Sequence, residues 1–283
     1  MKVKLADLTW PEVAQILDKP HVIIVPVGSI EQHGYHLPLS VDFRCAEYIA
    51  EQTARKVTQN GRIHVLVAPV IRYTDTSLFK QFPGTLGISA DTFMRLIEEV
   101  TRGLVSQGYK NIIFLNGHGP NSEEIKIALR KVSQDIPEAG LYAVDWWVLG
   151  SEQIKAMRKS NMMYHAEELE TSVSLIIQPE NVHMERAVKD QTSFSVSKKW
   201  AFPDFHSPQR LIWHSRRRRE GESGVMGDAT VASREMGEKF LAAVIGEFTE
   251  LITEIVASEG VEQTFIPVRR PPHYELKGGE NAK

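Results

Sequence analysis

The sequence has a single cysteine, Cys45, among its 283 residues. One cysteine excludes a disulfide framework within the chain and is typical of proteins that work in a reducing compartment. No apolar stretch reaches the length of a membrane span, and the amino terminus lacks the long apolar region of a secretory signal. We therefore expect a cytoplasmic protein with no membrane partner, in which Cys45 packs in the core on the apolar face of a helix.

Excess charge of one sign and internal repeats are also lacking. The formal net charge is -3, which gives no general case for nucleic acid or an anionic surface as a partner. Positive charge is concentrated in four arginines at residues 216–219. For so short a run a solvated loop is favoured, and a patch for an anionic substrate is the alternative. No segment repeats at a fixed period, which excludes a repeat architecture.

What the sequence does contain is enough apolar material for one large α/β domain, with 42% hydrophobic residues. We predict this domain over residues 1–260 and a polar, partly disordered extension over residues 261–283. Apolar β-branched runs predict buried strands, and apolar residues at helical spacing predict helices. The predicted strands are residues 21–25, 64–70, 111–115 and 140–147. The predicted helices are residues 8–16, 43–57, 90–107 and 229–257, with another that begins near Ser122.

Polar side chains follow directly after the first predicted strand. Glu31, His33 and Asp42 lie in the segment 26–42, and the region beyond the carboxyl ends of strands is where open α/β sheets bind ligands. Glu31 and His33 are two residues apart, so in an extended segment their side chains point the same way. A carboxylate and an imidazole that converge can bind a metal ion, although each residue taken singly is more often solvated or hydrogen-bonded.

A second polar cluster follows the third predicted strand. His118 is flanked by Gly117 and Gly119, which permit a tight turn that exposes its side chain at the same edge of the sheet. Histidine in such a turn is alternatively a hydrogen-bonding residue at a helix start. Between the second strand and the next helix, residues 73–87 form a long polar loop, and loops of this length in compact domains are usually functional.

A third cluster contains His165 and Glu170. We predict that His165 begins a helix, on which Glu170 lies about 140° away round the axis, so that both border one cavity without pointing at the same spot. Glu167 and Glu168 are predicted to be solvated carboxylates favoured by the helix dipole.

Two further segments have open interpretations. Trp146 and Trp147 end the fourth strand and belong either to the core or to an aromatic wall of a pocket. The irregular segment 187–227 either covers a site or forms an oligomer contact.

Together these motifs resemble the creatininase, or creatinine amidohydrolase, family over residues 8–255. The resemblance rests on residues 26–34 (PVGSIEQHG) with Asp42, 82–85 (FPGT), 116–121 (NGHGPN), 165–166 with 170–172, and 224–228. It implies a three-layer α/β/α fold with a mainly parallel central sheet. It also implies a small-molecule substrate, two divalent metal ions and a homo-oligomer, often a hexamer.

The resemblance also implies roles for individual residues. Glu31, Asp42 and His118 resemble the ligands of one ion, and His33 and Asp42 resemble those of the other, with Asp42 as the bridge. In creatininase the remaining carboxylate stands two residues after the histidine of the NGH motif, where this chain has Pro120. Glu170 resembles the residue that replaces this carboxylate in other branches of the family. His165 resembles the residue that transfers a proton, so His165 and Glu170 are the predicted catalytic residues.

The resemblance and the ligand types together predict a hydrolase. Carboxylate and imidazole ligands without thiolates suit zinc, manganese or iron, and two adjacent cations lower the pKa of a shared water enough to provide hydroxide for attack on a carbonyl. A small cyclic amide or formamide is the first choice of substrate. Carbon-carbon ring opening of a cyclic diketone, such as an oxidised inositol, is the second, and a non-catalytic binding or assembly protein is the third. The predicted substrate-binding residues are Thr85, Trp146, Trp147 and Tyr164.

Two departures from creatininase argue against creatinine itself as the substrate. Tyr164 stands where creatininase has an acidic residue, and Asn161 stands where it has a tryptophan. Both differences fall in the expected substrate pocket.

Overall fold

The computed structural model describes residues 1–191, 204–207 and 222–258. The arginine run at 216–219 and the predicted extension at 261–283 lie outside the described residues, as does most of the irregular segment 187–227. The predicted boundary of a single domain at residue 260 stays a prediction.

Four parallel strands form the central sheet, in the order β2-β1-β3-β4. The strands are β1 (His21–Val27), β2 (His64–Val67), β3 (Asn111–Asn116) and β4 (Gly140–Asp145). Every residue of β1 and β3 is buried, which explains why the interior of each strand is apolar and rich in β-branched residues rather than alternating with polar ones. Because all four strands run the same way, their carboxyl ends lie at one edge of the sheet.

Helices cover both faces of this sheet. They are α1 (Trp10–Leu17), α2 (Val41–Thr58), α3 (Ala90–Ser106), α4 (Asn121–Asp135), α5 (Ser151–Met157), α6 (Glu168–Ile177) and α7 (Arg234–Ser258). Ile23 and Val25 of β1 pack with α1, α3 and α4 on one face, while Val22 and Ile24 pack with α2, α6 and α7 on the other. The predicted three-layer α/β/α fold with a mainly parallel sheet is therefore confirmed. Cys45 is buried in the second of these cores, as predicted.

No helix within the described residues combines the length and the apolar character needed to cross a bilayer.

A small antiparallel sheet, absent from the sequence predictions, lies beside the main one. Its strands are β5 (Met163–His165), β6 (Lys189–Asp190) and β7 (Met226–Asp228), in the order β5-β7-β6. The prediction that His165 begins a helix is therefore wrong. Ala166 has a left-handed backbone with φ of 52°, and Glu167 caps the helix, so α6 begins at Glu168. A three-residue strand is too short to give a periodic signal in the sequence.

Several predicted boundaries also differ from the structure, and three of them have a local explanation. Strand β2 ends at Val67 rather than residue 70, since the register with β1 shifts there: Ala68 N–H bonds to Ile24, but the next bond, to Pro26, comes from Ile71. Strand β4 ends at Asp145, and Trp146–Val148 form a 3₁₀ turn. Helix α7 begins at Arg234 rather than residue 229, because Asp228 caps a separate 3₁₀ turn over Ala229–Val231.

Candidate metal centre

The carboxyl ends of β1 and β3 are neighbours in the sheet, with Val27 paired to Asn116. The amino-terminal turn of α2 lies against both strand ends, and glycines make this contact possible. A Cβ on Gly28 would lie 2.3 Å from the backbone nitrogen of Phe43, and one on Gly117 would lie 2.4 Å from the carbonyl oxygen of Asp42. The two glycines therefore bring Asp42 beside the segments that follow both strands.

Two sets of buried donor atoms share Asp42. In the first set, His118 Nδ1 lies 3.2 Å from Glu31 Oε1 and 3.1 Å from Asp42 Oδ2. In the second set, His33 Nε2 lies 2.9 Å from Asp42 Oδ1 and 3.8 Å from Glu170 Oε2. In each set, one donor atom per residue lies within 4.8 Å of the others. Because the two oxygens of Asp42 face different histidines, this carboxylate has the orientation required to bridge two ions.

His165 brings a third imidazole to these sets. Its Nδ1 lies 3.7 Å from Glu31 Oε1, and its ring centroid lies 4.3 Å from that of His33. Burial lowers the pKa of His165 well below its usual value, and the neighbouring His33 lowers it further. The structure thus brings together all of the predicted metal-binding and catalytic residues, namely Glu31, His33, Asp42, His118, His165 and Glu170. Their individual roles stay predictions.

Backbone carbonyl groups orient two of the histidines. His33 Nδ1 lies 3.1 Å from the carbonyl oxygen of Glu31, and His118 Nε2 lies 3.0 Å from that of Asp75. A carbonyl oxygen only accepts hydrogen bonds, so these ring nitrogens carry the hydrogen. The opposite nitrogens, His33 Nε2 and His118 Nδ1, face the carboxylates, and in the neutral rings these nitrogens would offer lone pairs to a bound cation. Metal-binding histidines are commonly oriented in this way.

The long loop at residues 73–87 surrounds the centre, as a functional loop would. Beyond the Asp75 carbonyl group, it supplies Phe79, whose ring stacks on His165 with centroids 4.4 Å apart and planes 16° apart. It also supplies Thr85, whose Oγ1 accepts a hydrogen bond from the backbone of Gln32. Sequence reasoning missed Phe79 and Gln32, although the length of the loop was a signal for the first.

Burial and mutual attraction shift the pKa values of the donor groups strongly. Burial raises the pKa of Glu31 against the opposing effect of His118, and it raises the pKa of Glu170 to about 7 against that of His33. Burial alone would lower the pKa of His33, but the Asp42 carboxylate outweighs it and raises that pKa to about 10. Burial would also raise the pKa of Asp42, yet the two histidines hold it well below its usual value. The three carboxylates therefore favour positive charge beside them.

The donor atoms fit divalent cations. Among the described residues, no lysine or arginine forms an ion pair with Glu31, Asp42 or Glu170. Glu31 Oε2 and His33 Nε2 are buried and have no hydrogen-bond partner within the described part of the chain, although the histidine nitrogen lies 2.9 Å from Asp42. Ligands of one ion approach each other in this manner because each directs its lone pair at the ion. Tetrahedral ligands of zinc, for example, lie about 3.4 Å apart.

Glu167 and Glu168 are buried, so the prediction that they are solvated is wrong. Glu168 accepts hydrogen bonds of 2.6–3.0 Å from the backbone of Lys159 and Ser160. Glu167 accepts from Leu169 and Glu170 at the start of α6. Backbone donors replace water for both carboxylates, and the contacts of Glu167 fix the first turn of α6 that presents Glu170 to the centre.

The four predicted substrate-binding residues occupy different surroundings. Trp146 is 1% exposed and belongs to the core. Trp147 and Tyr164 both stack on Phe205, with ring centroids 4.7 Å and 5.3 Å away. Thr85 contacts the backbone of Gln32, beside the metal-binding residues. That any of the four contacts a substrate stays a prediction.

Comparison with known proteins gives matches over most of the chain. A family profile described as creatinine amidohydrolase matches residues 6–252. A creatinine amidohydrolase of Pseudomonas putida is 26% identical over 89% of this chain and 96% of its own length. A mycofactocin precursor peptide peptidase of Mycolicibacterium smegmatis is 30% identical over 79% of this chain and 81% of its own. A 3-dehydro-scyllo-inosose hydrolase of Thermotoga maritima is 27% identical over 90% of this chain and 84% of its own.

Solved structures share the fold. A manganese form of creatininase superimposes with a TM-score of 0.72 and 22% identity over 90% of this chain and 99% of that chain. A creatininase variant described as the Zn-Zn type superimposes with a TM-score of 0.72 and 23% identity, over 90% of this chain and 99% of that chain. At these identities the superpositions show a common α/β/α architecture.

Proposed function

Because the chain belongs to the creatininase family of metal-dependent hydrolases, we propose that it uses two divalent ions to hydrolyse a carbon-nitrogen bond of a small amide. The observation that carries the proposal is the position of Asp42 between two sets of buried donors. Glu31 and His118 complete one set, and His33 and Glu170 complete the other. Zinc, manganese and iron all suit these oxygen and nitrogen ligands, and two creatininase structures are described with manganese or zinc.

The reaction follows from the orientation of the side chains. Two ions bound there would supply a water of lowered pKa and an electrophile for the substrate carbonyl group. The donors are at most 6% exposed, so the protein excludes bulk water from the reacting groups. His165 directs Nδ1 at this space, where this nitrogen would accept the proton that the attacking water loses and then donate it to the leaving nitrogen.

A small cyclic amide or formamide is the proposed substrate. The enclosed centre favours a small molecule, and two of the three relatives are named for hydrolysis of carbon-nitrogen bonds. Ring opening of a cyclic diketone is the second candidate, favoured by the relative named 3-dehydro-scyllo-inosose hydrolase. A purely structural protein does not need six buried metal-binding and catalytic groups that converge, which disfavours a non-catalytic role.

The direct test is a screen of zinc- and manganese-loaded protein with cyclic amides, formamido-pyrimidines, short peptides and keto-inositols. Product mass distinguishes the reactions, since amide cleavage releases an amine or formate, whereas diketone cleavage leaves a linear keto acid. Turnover of an amide supports the proposal. Turnover of keto-inositols alone replaces it with the second candidate.

We expect two ions per chain, and activity that depends on them. Treatment with a chelator should abolish turnover, and return of zinc or manganese should restore it in proportion to occupancy measured by mass spectrometry of the metal. Full turnover by protein that retains less than one ion in ten chains would contradict the two-ion proposal.

Glu170→Gln is expected to weaken binding of one ion on the order of 10²-fold while the other remains. The amide keeps the shape of the side chain but removes the negative charge from the set that also contains His33. Isothermal titration calorimetry with Zn²⁺ measures the binding affinity of both sites. Glu168→Gln is the matched control, because both buried carboxylates of this helical turn accept hydrogen bonds from backbone N–H groups, but only Glu170 belongs to a donor set. Equal loss of binding in both variants would show that Glu170 acts on the fold of α6.

The finer statements about location and assembly stay predictions. We predict that the protein is cytoplasmic, that it forms a homo-oligomer, with a hexamer as the expected form, and that neither nucleic acid nor a membrane is its partner. Analytical ultracentrifugation of the metal-loaded protein measures the assembly.

A further inference from the structure

Two other rings pack against the ring of His165. Phe79 stacks on the ring with centroids 4.4 Å apart, and His33 lies near it with centroids 4.3 Å apart. Of its two nitrogens, Nδ1 faces Glu31 at 3.7 Å, and Nε2 points away from the carboxylates towards Gln32. The partner of Nε2 therefore decides which nitrogen is free to exchange a proton in the centre.

Gln32 provides two groups beside this one nitrogen. Its carbonyl oxygen lies 2.9 Å from His165 Nε2, and its side-chain Nε2 lies 3.0 Å from the same atom. The carbonyl oxygen accepts from a protonated Nε2, which leaves the lone pair on Nδ1. The amide nitrogen is itself a donor and does not bond to a protonated Nε2, but at 3.0 Å it packs against this nitrogen and restricts rotation of the ring away from the carbonyl oxygen.

The amide of Gln32 is itself held in one orientation. Its Oε1 accepts a hydrogen bond of 2.8 Å from the backbone N–H of Gly34, and its Nε2 donates one of 3.0 Å to the carbonyl oxygen of Gly224. An acceptor on one side and a donor on the other are compatible with only one orientation of the amide. A Cβ on Gly224, which has φ of +72°, would lie 2.0 Å from Gln32 Oε1. Glycine at this position thus leaves room for the amide.

We propose that Gln32 is the positioning residue of His165, and that it fixes the ring with Nε2–H bonded to the Gln32 carbonyl group and Nδ1 facing the metal centre. The proton-transfer part of this inference rests on the proposed function. The structural part concerns only the tautomer and the orientation of the ring. Gln32 acts through His165 and needs no contact with the substrate.

Two variants test the inference from opposite sides of the contact. Gln32→Met keeps a side chain of similar length without its hydrogen bonds, and Gly224→Ala displaces the native amide through its new Cβ. The control for the first is Asn111→Ala, which removes a buried amide at the opposite end of β3. The control for the second is Gly61→Ala, because Gly61 has a similar φ of +66° with no atom within 4 Å of a new Cβ.

The first readout is the ¹⁵N spectrum of the imidazole nitrogens in zinc-loaded protein labelled at histidine, with His165 assigned by its substitution. We expect a fixed Nε2–H tautomer in the native protein and in both controls, and averaged nitrogen shifts in Gln32→Met and Gly224→Ala. The second readout is turnover, where we expect kcat to fall by about 10–100-fold with KM and metal content unchanged.

The two readouts separate the failure of this inference from the failure of the proposed function. Native nitrogen shifts in both test variants would overturn the positioning role, whatever happens to kcat. Averaged shifts in the two test variants, together with a native protein that hydrolyses none of the screened compounds, would keep the positioning role and reject only the proposed function.

Discussion

Asp42→Asn is expected to lower kcat/KM by at least about 10³-fold, which is about 4 kcal/mol of barrier. It is also expected to reduce bound metal to at most one ion per chain. Asp42 Oδ1 faces His33 and Oδ2 faces His118, so its carboxylate belongs to both donor sets. An amide presents one oxygen and one NH₂ group that only donates hydrogen bonds, and it therefore cannot serve two cations. Metal content per chain and kcat/KM measured on the same preparation test this expectation.

Asp91→Asn is the matched control for this variant. Asp91 is the second residue of α3, as Asp42 is the second residue of α2, so both carboxylates lie in the first turn of a helix. Asp91 is exposed and lies outside both donor sets. Its variant should keep two ions and native turnover. Two bound ions in Asp42→Asn would refute the bridging role and leave the paired donor sets without a common ligand.

His165→Ala is expected to lower kcat by about 10²–10⁴-fold, or about 3–5 kcal/mol, while the protein keeps two ions. The reason is that Nδ1 of this ring lies 3.7 Å from Glu31, whereas the histidine nitrogens of the two sets lie 2.9 Å and 3.1 Å from the shared Asp42 carboxylate. Loss of a proton carrier slows the chemical step without removing a ligand. Single-turnover kinetics together with metal analysis separate the two effects.

A competing role for His165 is that of a metal ligand, because its ring also forms a donor group with Glu31 and His33. Loss of an ion in His165→Ala would favour that role over proton transfer. His21→Ala provides the control, since His21 is a buried histidine at the amino end of β1, on the opposite edge of the sheet. It should alter stability without altering metal content or turnover.

Local sequence features predicted the framework of the site well. The apolar runs before Glu31 and His118 predicted buried strands that end just before these residues, and the glycines around His118 predicted the tight turn. These predictions succeeded because strand formation and glycine turns depend on neighbouring residues. The assignment of His165 to a helix failed because β5 is formed by pairing with β7, which lies about sixty residues later. The prediction that Glu168 is solvated was wrong because its partners are backbone groups at residues 159 and 160.

The sequence by itself determined that carboxylate and imidazole groups stand at the ends of buried strands, and its family resemblance assigned Glu170 to the place that Pro120 leaves without a ligand. Only the tertiary structure decided that these groups meet, that the two oxygens of Asp42 face different histidines, and that Gln32 and Phe79 contact His165. The physical reason is distance along the chain. Gln32 and His165 are separated by 133 residues, and their contact depends on the sheet, the long loop and α6 packing together.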